Sequence, residues 1–410
     1  MLNENGNVLR TVAWSDICPW LGIFRTFRIA VGGRVLLLGA VAILLTGVVW
    51  GVFTALLATD SQATDWASEY AKCSWLAIIS PVGGSSALPT PAELNPIDPQ
   101  ANPMLGAWMQ LTQPLWGVFG GDATVRDLAC LLLCGLSSLA IWAFFGGAIT
   151  RIAAVQLACG ERVSLASAMR HACSKWPAYF VAPLMPLLGV AFAAIPVLIL
   201  GLMMNANFGV LLAALVWPLA LIAGLVMAML LLGLIFGWPL MWATISTEGT
   251  DSFDALSRSY AYVYQRPLQY LFYVVVASVF GILGWLLVSN FAAAVISLTY
   301  WAASFGCGAE QMASIMPGGE TTLTGVGSAG AVLIRFWAGC VKLLAVGFIY
   351  TYFWTAATAI YLLLRRDADA TEMDEVYLDE DAGEQTYGLP PLDTDSEGAP
   401  IAVDDQPEEE

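Results

Sequence analysis

Long stretches without charged residues dominate the hydrophobic pattern of this chain. A helix needs about 20 apolar residues to cross a bilayer. Residues 176–247 contain no Asp, Glu, Lys or Arg and are too long for one span, and the turn-forming sequence NANFG at 205–209 divides them. The pattern predicts an all-α, polytopic membrane domain over 35–366, with six transmembrane helices at about 35–58, 128–150, 178–204, 212–244, 268–299 and 336–364.

A further uncharged stretch, residues 99–121, has a different character. It contains the sequence PQANP, two glutamines and Pro114, which interrupt its apolar pattern. We interpret residues 104–119 as an interfacial or re-entrant segment, with Trp108 and Trp116 as interface anchors. A true span here would reverse the orientation of everything that follows it.

Three amphipathic segments precede alternate spans. In residues 252–267 the large apolar and aromatic side chains recur at helical spacing, and Asp251 or Ser252 can cap the start. Residues 164–177 repeat this plan, and residues 19–34 are a looser copy. The pattern predicts three hairpins, each preceded by a cytoplasmic amphipathic helix in the plane of the lipid headgroups, and it places the tyrosines of residues 252–267 at headgroup level.

Basic residues are distributed unevenly between the two sides that six spans would create. The poorer side holds Lys72, Arg126, Arg335 and Lys342. The richer side holds Arg10, Arg25, Arg28, Arg34, Arg151, Arg162, Arg170, Lys175, Arg258, Arg266, Arg365 and Arg366. The positive-inside rule then predicts a protein of the cell (inner) membrane with both termini cytoplasmic, a cytoplasmic segment 1–34, and outer loops 59–127 and 300–335.

Composition supports a membrane body and sets the C-terminus apart from it. Charged residues make up 12% of the chain and the mean hydropathy is +0.72. The net charge of −16 comes from residues 367–410, which hold 17 acidic residues and no basic one. This composition predicts a disordered, acidic cytoplasmic tail.

The acidic tail has two interpretations. It is either a solvated segment that the membrane repels, or a docking segment for a basic cytoplasmic protein. In the second case the sequence YGLPPL is a candidate extended ligand, with contacts from Tyr387, Leu389, Pro390 and Pro391.

Candidate chemistry is sparse along the chain. His171 is the single histidine, and the eight cysteines include no CxxC pair, so we predict no catalytic, metal or cofactor-binding set and no nucleic-acid partner. Cys73 and Cys307 lie in the two large outer loops and are a candidate disulfide. Lys342 is a candidate polar site within a span, since it either snorkels outward or pairs with an acidic residue of the outer loop, Glu310 or Glu320.

Charges at the predicted cytoplasmic rim are candidate contacts for lipid headgroups. They are Asp254, Arg258, Arg266, Arg170 and Lys175. Asp254 and Arg258 stand four residues apart on one predicted helix, at the spacing of an ion pair. A cleft that gathered these side chains with Glu248 would favour a membrane enzyme acting on phospholipid headgroups.

The sequence Asp254-Ala255-Leu256-Ser257-Arg258-Ser259-Tyr260 follows a long span and a glycine. It resembles the cytoplasmic element of uncharacterised bacterial multi-pass proteins related to the membrane domain that accompanies some glycerophosphodiester phosphodiesterases. The resemblance covers about residues 140–300. It implies a similar architecture, and it assigns no activity or functional residue.

The leading functional interpretation is a non-enzymatic membrane protein. It is either a scaffold or a passive lipid- or solute-handling unit, with membrane lipids and a protein docked on the acidic tail as its partners. A transporter or channel component is the first alternative, which a polar cavity between the spans would favour. The membrane enzyme of the cytoplasmic rim is the second.

Overall fold

The computed structural model describes residues 18–57, 102–118, 124–316 and 323–377, and within them the regular structure is helical. A 3₁₀ segment, Pro19–Phe24, leads into the first helix. The helices are α1 (Arg25–Ala30), α2 (Gly33–Leu57), α3 (Pro103–Val118), α4 (Val125–Ala158), α5 (Leu165–Ser174), α6 (Trp176–Met203), α7 (Asn207–Glu248), α8 (Ser252–Gln265), α9 (Pro267–Cys307), α10 (Ala309–Ile315) and α11 (Val326–Asp369).

Six of these helices, α2, α4, α6, α7, α9 and α11, are long and apolar enough to cross a membrane. The predicted all-α, six-span fold is therefore confirmed. Several helices run past the predicted limits of the spans. With 42 residues α7 is about 63 Å long, roughly twice the hydrocarbon core of a bilayer.

The helices preceding the spans are capped as the sequence predicts. Asp251 accepts a hydrogen bond from the backbone N–H of Asp254 at the start of α8, and Ser164 caps α5 in the same way. The predicted plan of three hairpins with preceding helices is present. However, α8 folds back along the preceding span, because the Tyr260 hydroxyl donates to the Leu230 carbonyl of α7 at 2.6 Å.

The short helix α3 packs among the spans. The indole N–H of Trp108 donates to the Ile235 carbonyl of α7 at 2.9 Å, and the ring stacks on Phe236. Met104 and Ala107 are buried. Trp108 therefore packs within the bundle, while the interfacial or re-entrant position of this segment stays a prediction.

The packing of the bundle is uneven along its length. One end, where α2, α6 and α9 begin and α4, α7 and α11 end, carries eleven of the fourteen described Lys and Arg residues, and we term it the basic end. Every residue from 350 to 365 of α11 is buried there. Between residues 187 and 232, by contrast, only Gly209 and Ala213 are buried, so the α6–α7 hairpin presents apolar side chains outward.

The core at the basic end is built on close contacts between glycine and aromatic rings. Trp242 of α7 and Trp354 of α11 stack with ring centroids 4.3 Å apart. A Cβ on Gly146 of α4 would lie 2.6 Å from the Trp242 ring and 3.1 Å from the Trp354 ring. The three spans therefore meet at a position that admits only glycine without a shift of the rings.

The stability of Gly146→Ala tests this contact. We expect the added methyl group to lower the free energy of unfolding by about 1–3 kcal/mol, because it overpacks the tryptophan stack. Gly135→Ala on the same helix is the matched control, since its Cβ would meet only Pro114 Cβ, at 3.4 Å. Denaturant titration in detergent micelles measures both, and equal stabilities would show that the stack does not depend on Gly146.

Candidate functional site

The predicted headgroup contacts do not converge into one cleft. Arg258 pairs with Glu248 at 3.0 Å, Arg266 donates to Gln269 at 3.4 Å, and Lys175 donates to the Gly249 carbonyl at 2.5 Å. The i, i+4 partnership of Asp254 with Arg258 is thus replaced by an ion pair to the preceding helix. Arg170 is exposed on α5.

Glu248 organises a buried polar cluster at the basic end. Its carboxylate accepts the Tyr361 hydroxyl at 2.6 Å and the Arg258 guanidinium at 3.0 Å, and Arg365 Nε lies 3.9 Å away. The side chains of Glu248 and Arg365 are only 13% and 6% exposed. We term these four residues the Glu248 cluster, and it joins the ends of α7 and α11 to α8.

The first acidic residues of segment 367–410 belong to the folded protein. Helix α11 continues to Asp369, whose carboxylate accepts the Tyr262 hydroxyl at 2.5 Å, and Asp367 accepts the Tyr273 hydroxyl at 2.6 Å. Burial, and then the hydrogen bond to Asp369, raise the pKa of Tyr262, so this hydroxyl remains a donor at neutral pH. Burial opposes the charge of Arg258, but Glu248 together with Tyr361, Tyr262 and Asp369 more than offsets it, so the pKa of the guanidinium is raised.

A second polar cluster, which the sequence did not indicate, lies between α4, α6 and α7. The hydroxyl of Ser246 lies 2.5 Å from that of Thr150 and 2.7 Å from that of Tyr179. Arg151 donates to the Ser246 carbonyl at 2.8 Å and is buried. These polar atoms satisfy one another, so the cluster holds three spans together.

The candidate residues away from the basic end meet different outcomes. Lys342 is half-buried on α11, and its outward or inward role stays a prediction. Cys307 is exposed at the end of α9, whereas its predicted partner Cys73 lies outside the described residues. Glu320 and the candidate tail contacts Tyr387, Leu389, Pro390 and Pro391 also lie outside them.

A large apolar cavity lies beside α3. It has a volume of about 480 Å³ and is walled by α3, α7, α8, α9 and α11. We term it the α3 groove. Its walls include Trp108, Phe236, Tyr270, Val274 and Phe353.

The two tyrosine hydroxyls at the wall of the α3 groove are already engaged. The Tyr270 hydroxyl donates to the Phe236 carbonyl at 2.8 Å, and the Tyr264 hydroxyl donates to the Met229 carbonyl. Apart from Asn102 and Ser278, the wall that remains is hydrocarbon and aromatic. The groove therefore offers its occupant burial of apolar surface and few hydrogen bonds.

Comparison of the chain with protein-family models, with curated proteins and with solved structures finds no match. The Glu248 cluster and the α3 groove are consequently the features of the molecule that bear on its function.

Removal of the Glu248 carboxylate tests how much the Glu248 cluster contributes to the stability of the fold. We expect Glu248→Ala to destabilise the protein by about 3–5 kcal/mol, because it leaves the buried Arg365 only the exposed Glu375, whose carboxylate lies 4.0 Å away, and removes the acceptor of the Tyr361 hydroxyl. Arg258→Ala is the control, since that side chain is 46% exposed and an exposed pair contributes about 1 kcal/mol or less. Denaturant titration in detergent compares them, and equal losses would contradict the distinction.

Proposed function

We propose that this protein is a non-enzymatic, multi-pass protein of the cell membrane that binds the acyl chain of a membrane lipid in the α3 groove. The observation that carries the proposal is the 480 Å³ apolar cavity between the short helices α3 and α8 and the long helices α7, α9 and α11. Its volume falls in the range of roughly 300–1,000 Å³ that is typical of ligand pockets.

The chemistry of the groove favours an acyl chain over a polar solute. Because the Tyr264 and Tyr270 hydroxyls are satisfied by α7 carbonyls, a polar ligand would lose its hydration and gain few partners. A hydrocarbon chain loses no hydration on leaving the bilayer, and it exchanges its contacts with other lipid tails for packing with Trp108, Phe236 and Phe353.

The groove is also accessible from the lipid. Among the residues that line it, Leu232, Phe236 and Leu271 are exposed on the apolar surface of the bundle. A chain can therefore enter sideways from the hydrocarbon region, without passing the charged rim.

The two alternatives have weaker support. A transporter or channel is favoured by a polar cavity between spans, and the α3 groove is apolar. A headgroup enzyme is favoured by a cluster of rim charges, but Arg258, Arg266 and Lys175 each engage a different partner.

The proposal also includes the orientation of the protein in the membrane and a docking role for its acidic tail. The excess of Lys and Arg at the basic end supports a cytoplasmic location for that end and for both termini. The acidic tail then faces the cytoplasm, where a basic protein can dock on it, while the resemblance to phosphodiesterase-associated membrane domains remains a proposal about architecture.

Cross-linking with a photoreactive phospholipid tests the groove. A diazirine on the acyl chain should label peptides of α3, α7 and α9 in wild-type protein, located by mass spectrometry. Val274→Trp places a bulky ring in the groove and should reduce this labelling at least several-fold. Val279→Trp is the matched control, since Val279 is exposed on the same helix. Equal labelling in both variants would show that the chains bind elsewhere.

Cysteine labelling tests the orientation. Cys173 near the basic end and Cys307 near the opposite end are both exposed. In single-cysteine variants, a membrane-impermeant maleimide should label Cys307 in intact cells and label Cys173 only after permeabilisation. The reverse pattern would invert the proposed topology. With Cys73 retained, labelling of Cys307 only after reduction would support the predicted disulfide.

A further inference from the structure

A serine of α9 lies on the wall of the α3 groove. Pro267, Leu271, Val274 and Ser278 line the groove and recur along α9 at spacings of four, three and four residues. Residues at these spacings share one face of a helix. Ser278 is half-buried on this face. Its hydroxyl is therefore a polar group within an otherwise apolar stripe of the groove wall.

The hydroxyl of Ser278 lacks the hydrogen bond that such groups usually make. Serine and threonine hydroxyls in helices often donate to the carbonyl three or four residues earlier, as Ser289 of α9 does to Leu286 at 3.3 Å. Among the described serines and threonines of the six long helices, only Ser278 and Ser297 have no hydrogen bond at the hydroxyl. Ser297 is exposed, whereas Ser278 lines the groove.

The oxygen of Ser278 is also accessible. The side-chain polar atoms that are fully enclosed and without a partner belong to other residues of the described part of the chain. Because Ser278 lies on the groove face of α9, the side on which it is open is the groove. Its hydroxyl is therefore available to the molecule that occupies the groove.

Water is a poor partner for this hydroxyl. A water molecule held inside a protein needs about two to four polar partners. The Tyr264 and Tyr270 hydroxyls donate to carbonyls of α7, and the side-chain oxygen of Asn102 caps the start of α3. The groove thus offers few partners to a water molecule, and an oxygen atom of the occupant is the better partner for Ser278.

The position of Ser278 indicates that this oxygen is neutral. Ser278 is eleven residues beyond Pro267, or about 16 Å along α9 from the end of the helix that carries the rim charges. A charged group at this distance would lose its hydration without gaining an ion pair. A serine hydroxyl both donates and accepts, so it fits a hydroxyl or a carbonyl oxygen equally well.

We propose that Ser278 makes the α3 groove selective for an aliphatic chain that carries a neutral oxygen, which forms a hydrogen bond with its hydroxyl. An acyl chain oxygenated in its middle and the hydroxyl end of a single-chain molecule share this chemistry. The inference rests on the function proposed for the groove, since it names the class of chain that the groove prefers.

Binding of three probes to the purified full-length protein tests the proposal. The probes are a long-chain n-alkane, the primary alcohol and the mid-chain secondary alcohol of the same carbon number, each titrated by native mass spectrometry at fixed detergent concentration. We expect at least one alcohol to bind about fivefold more tightly than the alkane, which is the effect of one hydrogen bond. Preference for the secondary alcohol identifies an oxygenated chain, and preference for the primary alcohol identifies a chain end. Equal binding of all three probes overturns the proposal.

Removal of the hydroxyl assigns the preference to Ser278. Ser278→Ala should weaken the preferred alcohol to the level of the alkane and leave the alkane unchanged, and Ser278→Thr, which keeps a hydroxyl, should retain the preference. Ser289→Ala is the matched control, because Ser289 is on the same helix but bonds to Leu286 and does not line the groove. An alcohol preference that survives in Ser278→Ala overturns the proposal.

Val274→Trp separates this inference from the function proposed for the groove. The bulky ring should reduce the binding of all three probes, because it fills the space that each of them needs. If binding falls in Val274→Trp while Ser278→Ala keeps the alcohol preference, the groove still binds chains and only the role of Ser278 is overturned. Unchanged binding of all three probes in Val274→Trp overturns both.

Discussion

The fold depends on how closely aromatic rings approach the backbone of neighbouring helices. Gly146 and its neighbour Gly147 have no side chain, so Trp242 of α7 packs against the first and Tyr179 of α6 against the second. Trp354 of α11 stacks on Trp242 and so reaches the same point. Lipid tails are as apolar as the helix surfaces, so the hydrophobic effect does not drive the helices together. Close packing of small residues against large ones favours their association instead.

The two cavities lie on either side of one contact. Helix α3 is held against α7 by the hydrogen bond from Trp108 to Ile235 and by the stack on Phe236. The α3 groove lies on one side of this contact and a smaller apolar cavity of about 170 Å³ on the other, and α3 and α7 contribute walls to both. A short helix inserted among long ones cannot fill the space along their full length, and the unfilled volume lies beside it.

The sequence predicted the parts of the fold that depend on local pattern. The six spans follow from length and hydropathy, and the caps of α5 and α8 follow from Ser164 and Asp251. The position of α3 could not be predicted, because hydropathy reports polarity and not the partner that Trp108 finds on α7. Hydropathy likewise does not reveal the bond from the Tyr260 hydroxyl of α8 to the Leu230 carbonyl of α7, and the headgroup level of the α8 tyrosines stays a prediction.

The Glu248 cluster shows why the site was harder to predict than the spans. Glu248 and Tyr361 are separated by 113 positions, and their contact arises only when the ends of α7 and α11 meet. A count of rim charges treats Arg365 as a marker of orientation, whereas the structure buries it beside Glu248. Pairing between distant helices leaves no periodic trace in the sequence, and only packing reveals it.

The Glu248 cluster and the α3 groove share two helices, α8 and α11. Helix α8 holds Arg258 against Glu248 and lines the groove with Val263 and Tyr264, all within 14 residues. Helix α11 supplies Tyr361 to the cluster and Ile360, the preceding residue, to the groove. Helices α8 and α11 therefore link the ion pairs at the basic end to two walls of the groove. The charged residues at the rim are in this way coupled structurally to the walls of the proposed lipid site.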